Sequence, residues 1–291
     1  MLRRIDWTGA SPARGSILFF PGRGDAYEKY LETLAEWHHA GWDVTAADWR
    51  GQAGSGRLGS DPVTGHVGDF ADWVDDLAGF WPEWKAARPG PHVLAGHSMG
   101  GHLVLRALAQ GRVDPDAAVL SAPMLGFSGP RLPIGLLHAG GRLMRRLGDP
   151  ARPAWKWSEK PGEIPAARID LLTHDTDRYA DELWWRETRP ELVMGPGSWH
   201  WVERAYASMR ALDRPGFLEA VTTPVLLVGT ANDRLVGFDA IERAARRLPH
   251  GELVAFGAEA RHEILREADP VRSRALAAIA EFLDRVAPAR G

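Results

Sequence analysis

Six short apolar runs, separated by stretches with helical spacing, leave this chain few ways to fold: 16–20, 42–47, 92–95, 117–120, 224–229 and 252–256. Short, mostly apolar runs of this length read as strands buried in a sheet, and the stretches between them as covering helices. Over 27–40, Tyr30, Leu31, Leu34 and Trp37 share one helical face. Over 70–87, Trp73, Leu77, Phe80, Trp81 and Trp84 do the same, with Pro82 expected to kink the helix. Further helices are expected to about Ala109, over 238–248 and over 270–286. The rhythm predicts an α/β fold with a doubly wound, mostly parallel sheet.

Between Pro123 and Arg214 the alternation stops and the chain becomes rich in Pro, Gly, Arg and Trp. A stretch of that size is too long for an ordinary connection. We therefore expect a core domain built from 1–122 and 215–291, with a helical cap inserted at 123–214. A length of 291 residues suits one large domain carrying an insertion. A net charge of −3 shows no basic dominance, so nucleic acid is not an expected partner. With no cysteine, neither disulfides nor thiolate chemistry are possible. The arginines near the N-terminus precede no apolar run, and no stretch has the ~18 apolar residues of a membrane span. A cytoplasmic protein is the default expectation, with peripheral membrane contact left open.

One turn stands out chemically. Gly96-His97-Ser98-Met99-Gly100 follows an apolar strand and opens a helical pattern, the context in which G-x-S-x-G forms a sharp nucleophile-bearing turn. The glycines are needed because side chains at those positions would meet the backbone. The helix that follows aims its first N–H groups at a developing oxyanion. A serine hydroxyl needs a base, and the base an orienting acid, expected in the order Ser, Asp, His. Asp233 lies just past one buried run and His262 just past the last one. Both are thus expected at the same sheet edge as Ser98. His97 is expected to pack under the turn, and Asp239 is a poorer acid because it falls inside a helix. For the oxyanion we expect two backbone donors, Met99 and Arg23, the latter flanked by Gly22 and Gly24.

Gly-His-Ser-Met-Gly-Gly (96–101), Asp-Trp-Arg-Gly-Gln (48–52), Ala-Asn-Asp-Arg-Leu-Val (231–236) and Ala-Arg-His-Glu-Ile-Leu-Arg-Glu (260–267) resemble bacterial lysophospholipase/monoacylglycerol lipase-type α/β hydrolases. The resemblance runs from about Ser16 to the C-terminal helix, and the string around His262 is its most specific part. It implies the α/β-hydrolase fold, a triad of Ser98, Asp233 and His262, and oxyanion donors at Met99 and Arg23. The family usually has His-Gly after the first buried strand, where this chain has Pro21-Gly22. The stretch 48–52 is expected to steady loops near the site.

Six of the 13 tryptophans fall in the insertion: Trp155, Trp157, Trp184, Trp185, Trp199 and Trp201. With His200 they are candidates for lining an acyl or aromatic pocket; the alternative is that the rings hold a small cap together. The stretch 132–147 mixes leucines with Arg142, Arg145 and Arg146, which suits either an anionic membrane surface or a solvated helix face. The expected activity is cleavage of lipid-like esters, a monoacylglycerol or lysophospholipid, through an acyl-enzyme and without metal or organic cofactor. The alternatives are a carboxylesterase for small or aromatic esters, an amidase or peptidase, or a binding protein that kept the fold.

Overall fold

The structure, a computed structural model, is described over residues 2–9, 13–129, 132–156 and 168–289. Seven strands make one sheet: β1 (Arg4–Trp7), β2 (Gly15–Phe20), β3 (Trp42–Ala47), β4 (His92–His97), β5 (Ala117–Ser121), β6 (Val225–Thr230) and β7 (Gly251–Phe256). Their order is β1-β3-β2-β4-β5-β6-β7. Every neighbouring pair is parallel except β1 with β3, where Arg4 faces Ala47 and Trp7 faces Val44.

The two-residue period of the strands divides the core. Ile17 and Phe19 of β2, Val93 and Ala95 of β4 and Leu226 and Val228 of β6 face one side. There they meet α1 (Leu31–His39) and α9 (Asp269–Val286) through Leu34, Trp37, Ile279 and Phe282. Leu18, Phe20, Leu94, Leu120 and Leu227 face the other side. They pack on α2 (Phe70–Ala86), α3 (Met99–Ala109) and α8 (Phe238–Arg247). Covering both faces makes the polar ends of the strands the place where a site can open.

Most boundaries fall within a residue or two of expectation; β4 runs on to His97, directly against the Ser98 turn. The edge strand β1 was not expected, because Arg4-Ile5-Asp6-Trp7 lacks an apolar run. Pro82 does not end α2, which stays helical to Ala86. Trp73, Trp81 and Trp84 of α2 are buried, and each indole N–H finds an acceptor: Arg50 O at 2.9 Å, Asp114 at 2.7 Å and Thr45 Oγ1 at 2.9 Å. Phe80 is only half-buried, beneath the Arg4 guanidinium.

Between β5 and β6 the described residues form helices and loops but no strand: α4 (Ile134–Arg146), α5 (Ile169–Leu172), α6 (Thr176–Thr188) and α7 (Trp199–Leu212), with a short 3-10 turn at Pro190–Leu192. α7 sends Trp201, Ala205, Met209 and Leu212 into the same core as α2 and α3. Among the described residues, no helix is long and apolar enough to cross a membrane.

Candidate active site

Ser98 sits where β4 passes into α3, with φ 52° and ψ −117°, a backbone state that non-glycine residues rarely adopt. From Pro91 to Leu108 it is the one residue that is only partly buried; its neighbours are all buried. The glycines around it are there for space. A Cβ at Gly96 would lie 2.7 Å from the carbonyl carbon of Gly100, and one at Gly100 would lie 2.4 Å from the carbonyl oxygen of Phe20. At Gly101 a Cβ would press on Pro123 at 3.0 Å. Helix, strand and the following loop can close on one another only if these positions carry no side chain.

The turn after β2 comes up beside the serine. A Cβ at Gly22 would lie 3.1 Å from Ser98 Cβ and 2.8 Å from Asp25 Oδ2. Two residues of the 48–52 stretch hold this turn: Gln52 Oε1 accepts the Gly24 N–H at 2.7 Å, and Trp49 donates to Pro21 O at 3.1 Å while stacking on Phe20. Asp48 is buried against Arg3 and the Tyr27 N–H, and burial raises its carboxyl to about 6. Met99 begins α3, so its N–H belongs to the first helical turn, whose donors have no intrahelical acceptor. Arg23 lies in the Gly22–Gly24 turn; its guanidinium donates to Gly195 O at 2.6 Å and rests on the rings of Trp155 and Trp201.

Asp233 follows β6 and His262 follows β7. The structure brings them together: His262 Nδ1 and Asp233 Oδ2 are 2.7 Å apart, both residues buried. The other Asp233 oxygen accepts the N–H groups of Leu235 and Val236 at 2.8 and 3.0 Å. Burial works against the Asp233 charge, but His262 and these amides hold its carboxyl below the usual range. Burial also disfavours protonated His262, yet the Asp233 charge and hydrogen bond outweigh it and hold the imidazole above its ordinary value. With Nδ1 committed to the carboxylate, Nε2 is the nitrogen available for proton transfer.

The His97 ring packs edge-on against His262 at 4.8 Å and near Tyr30 at 5.6 Å. Burial, then the neighbouring His262, lower it to about 3, so it stays neutral. Asp239 pairs with Arg243 on the exposed side of α8, while His262 has Asp233 as its carboxylate partner. A serine hydroxyl, a buried His–Asp pair and a helix N-terminus are the groups that proton transfer from a hydroxyl and stabilisation of an oxyanion call for.

The tryptophans of the insertion are scattered. Trp201 is in the core with Phe70 and Phe127, and Trp155 lies over Arg23. Trp184 is exposed and meets Trp185 edge-on; Trp199 is near Arg152. His200 is half-buried and bonds Gly68 O at 2.8 Å. Trp157 lies outside the described residues. A groove of ≈ 810 Å³ instead runs from Leu132, Ile134 and Leu137 past Tyr206 and Met209 to Asp233. It is lined by none of these tryptophans, and it reaches the acid rather than Ser98 or His262.

Sequence reasoning missed a buried charge cluster below the site. Lys29 Nζ lies 2.8 Å from Asp25, 3.0 Å from Glu182 and 2.6 Å from Glu263, and Arg266 lies 2.6 Å from Glu263. Only the Arg-His-Glu-Ile-Leu-Arg-Glu string hinted at it, by placing Glu263 and Arg266 three residues apart after His262.

Comparison with known proteins agrees with this architecture. The model of the family described as serine aminopeptidase, S33, matches residues 11–269. Lysophospholipase L2 of Escherichia coli (strain K12) is 34% identical over 92% of this chain and 80% of its own length. A monoacylglycerol lipase of Mycolicibacterium smegmatis is 28% identical over 58% of this chain and 59% of its own. Among solved structures, a soluble variant of the Saccharomyces cerevisiae monoglyceride lipase shares the fold with a TM-score of 0.77 at 18% identity, covering 98% of this chain and 91% of that one. With the seven-stranded sheet, its helices and a match over most of the sequence, the chain belongs to the serine aminopeptidase S33 family of α/β hydrolases.

Proposed function

We propose that this protein cleaves carboxylic esters of lipid-like substrates, a monoacylglycerol or a lysophospholipid, through an acyl-enzyme on Ser98. The observations that carry the reading are the 2.7 Å His262–Asp233 pair at the strand ends and a serine in strained backbone at the end of β4. In the proposed cycle His262 Nε2 takes the Ser98 proton as the oxygen attacks the ester carbonyl. The N–H groups of Met99 and Arg23 receive the oxyanion. Collapse expels the alcohol, which takes the proton back from His262. Water then attacks the acyl-enzyme, with His262 again as base, and releases the fatty acid and free Ser98. The similarity to Lysophospholipase L2 and to monoacylglycerol lipase supports the substrate class.

In this reading residues 123–214 form a cap over the core, and the groove beside α4 and α7, lined by polar as well as apolar side chains and ending at Asp233, offers room for part of the substrate. The solvent face of α4 supports peripheral contact with an anionic bilayer. Leu136 and Leu143 lie two turns apart on one side, Leu132 and Leu147 continue the line at its ends, and each is more than half exposed. Arg142 and Arg146 are exposed beside them, a combination that suits a lipid surface with anionic head groups. A cytoplasmic, membrane-peripheral location goes with this, since the cytoplasmic leaflet carries the anionic lipids.

Rates across p-nitrophenyl esters of rising chain length test the substrate class. The lipid reading expects kcat/KM to climb well beyond butyrate. An optimum at acetate or butyrate would transfer the assignment to a small-ester carboxylesterase.

A further inference from the structure

The ammonium of Lys29 has three N–H donors, and three carboxylates on three separate parts of the chain surround it. Asp25, at 2.8 Å, belongs to the turn that carries Arg23 and touches the Gly22–Ser98 contact. Glu263, at 2.6 Å, is the residue directly after His262. Glu182, at 3.0 Å, belongs to α6 in the segment between β5 and β6. All four side chains are buried, as is Arg266, which reaches both Glu263 at 2.6 Å and Glu182 at 3.2 Å. The Tyr30 hydroxyl completes Asp25 at 3.0 Å. Arg186 bonds the free oxygen of Glu182 at 3.1 Å.

A buried cluster of this kind is costly to desolvate, and packed apolar side chains do the purely structural work at least as well. What an apolar replacement cannot do is fix three separate backbones in one register through directed bonds. The loop after β7 and the inserted segment are joined at two further points. Leu172 O accepts the Glu263 N–H at 2.8 Å, and Thr173 donates to Arg266 O at 2.7 Å. The loop bearing His262 therefore has its neighbours on the inserted helical segment as much as on the sheet.

We infer that Lys29 is a positioning residue: its ammonium ties the oxyanion turn, the loop of the base and helix α6 into one assembly, so that seating of the inserted segment and alignment of His262 are coupled. This rests on the roles proposed above for His262 and Arg23. Losing one arm leaves the chain folded but lets those backbones drift, and a displacement of about 1 Å in a catalytic group costs on the order of 10²-fold in rate.

The test compares wild type with Lys29→Met, Lys29→Arg and Glu182→Gln, using a soluble p-nitrophenyl ester. Reactive enzyme is counted by end-point fluorophosphonate labelling of Ser98, and thermal melting is followed alongside. Per labelled enzyme, Lys29→Met is expected to lose about 10- to 100-fold in kcat with KM changed less than about threefold, and Lys29→Arg to recover most of the loss. Glu182→Gln, a neutral isostere far along the chain from the triad, is expected to lose about three- to tenfold in kcat. If Lys29→Met does not fold, Glu182→Gln alone decides. A lower melting temperature with unchanged kcat per labelled enzyme in the folded variants would overturn the inference. Failure of wild type itself to react at Ser98 would instead overturn the proposed function.

Discussion

The backbone of Ser98 is held at φ 52° and ψ −117° by bonds on both sides: its N–H donates to Ser121 O and its carbonyl accepts from Met124. Such a residue stores of the order of 1–3 kcal/mol that the surroundings must offset. Ser98→Gly should therefore raise the free energy of unfolding by ~1 kcal/mol in denaturant titration while abolishing turnover. A destabilised glycine variant would show that the position is not strained. His262 supplies a second prediction. As a base it must be neutral, and Asp233 holds its pKa above the ordinary value. Activity should fall as pH drops through a midpoint above ~6.5. Asp233→Asn removes the raising charge, so that midpoint should move down and kcat should drop about 10⁴-fold. A pH–rate profile of kcat/KM for both proteins checks the sign of the shift.

Among the elements, the β4–Ser98–α3 unit depends on Gly100, where a Cβ would fall 2.4 and 2.5 Å from the carbonyl oxygens of Phe20 and Pro21. Since neither contact is a flexible side chain, Gly100→Ala should destabilise the fold by ~3 kcal/mol or more, read as a lower denaturant midpoint. On α4 the test is binding. Leu136→Asp with Leu143→Asp should sharply weaken co-sedimentation with vesicles containing anionic lipid and leave hydrolysis of a soluble ester intact. Unchanged sedimentation would remove the membrane reading.

Much of this was legible in the chain. Ile17–Phe20 is apolar throughout and reads directly as part of β2, and the spacing of Gly96, Ser98 and Gly100 marks the turn. Asp233 and His262 were readable because each follows an apolar run. β1 was not, because an edge strand tolerates Arg4 and Asp6 on its open side. The placement of the tryptophans was equally hidden. Trp201 and Trp184 are chemically alike, and only tertiary packing decides that one enters the core and the other faces solvent. The Lys29 cluster draws on positions 25, 29, 182, 263 and 266, too dispersed for any local pattern to show.

At the scale of the whole molecule, the inserted segment and the sheet are joined through buried charge as well as apolar contact. Burial opposes ionisation of Asp25, Glu182 and Glu263, but Lys29 overcomes it and holds all three below the usual carboxylate range. A carboxylate depressed in the folded state stabilises it above the unfolded value of about 4, and that contribution is lost as pH falls through the folded value. Asp48, raised to about 6, acts in the opposite sense over about pH 4–6. Three depressed groups outweigh one raised group, so stability should fall steeply below about pH 4. Melting temperatures measured from pH 7 down to pH 3 would show this; a curve that stays flat or rises there would contradict the charge assignment.

The most direct test of the account is turnover by purified protein, offered monoacylglycerol and lysophospholipid in competition with p-nitrophenyl butyrate, beside its Ser98→Ala variant. The account predicts preference for one of the lipids and a loss of about 10⁴- to 10⁶-fold in the variant, which remains folded. Lipid turnover that survives in Ser98→Ala would contradict it.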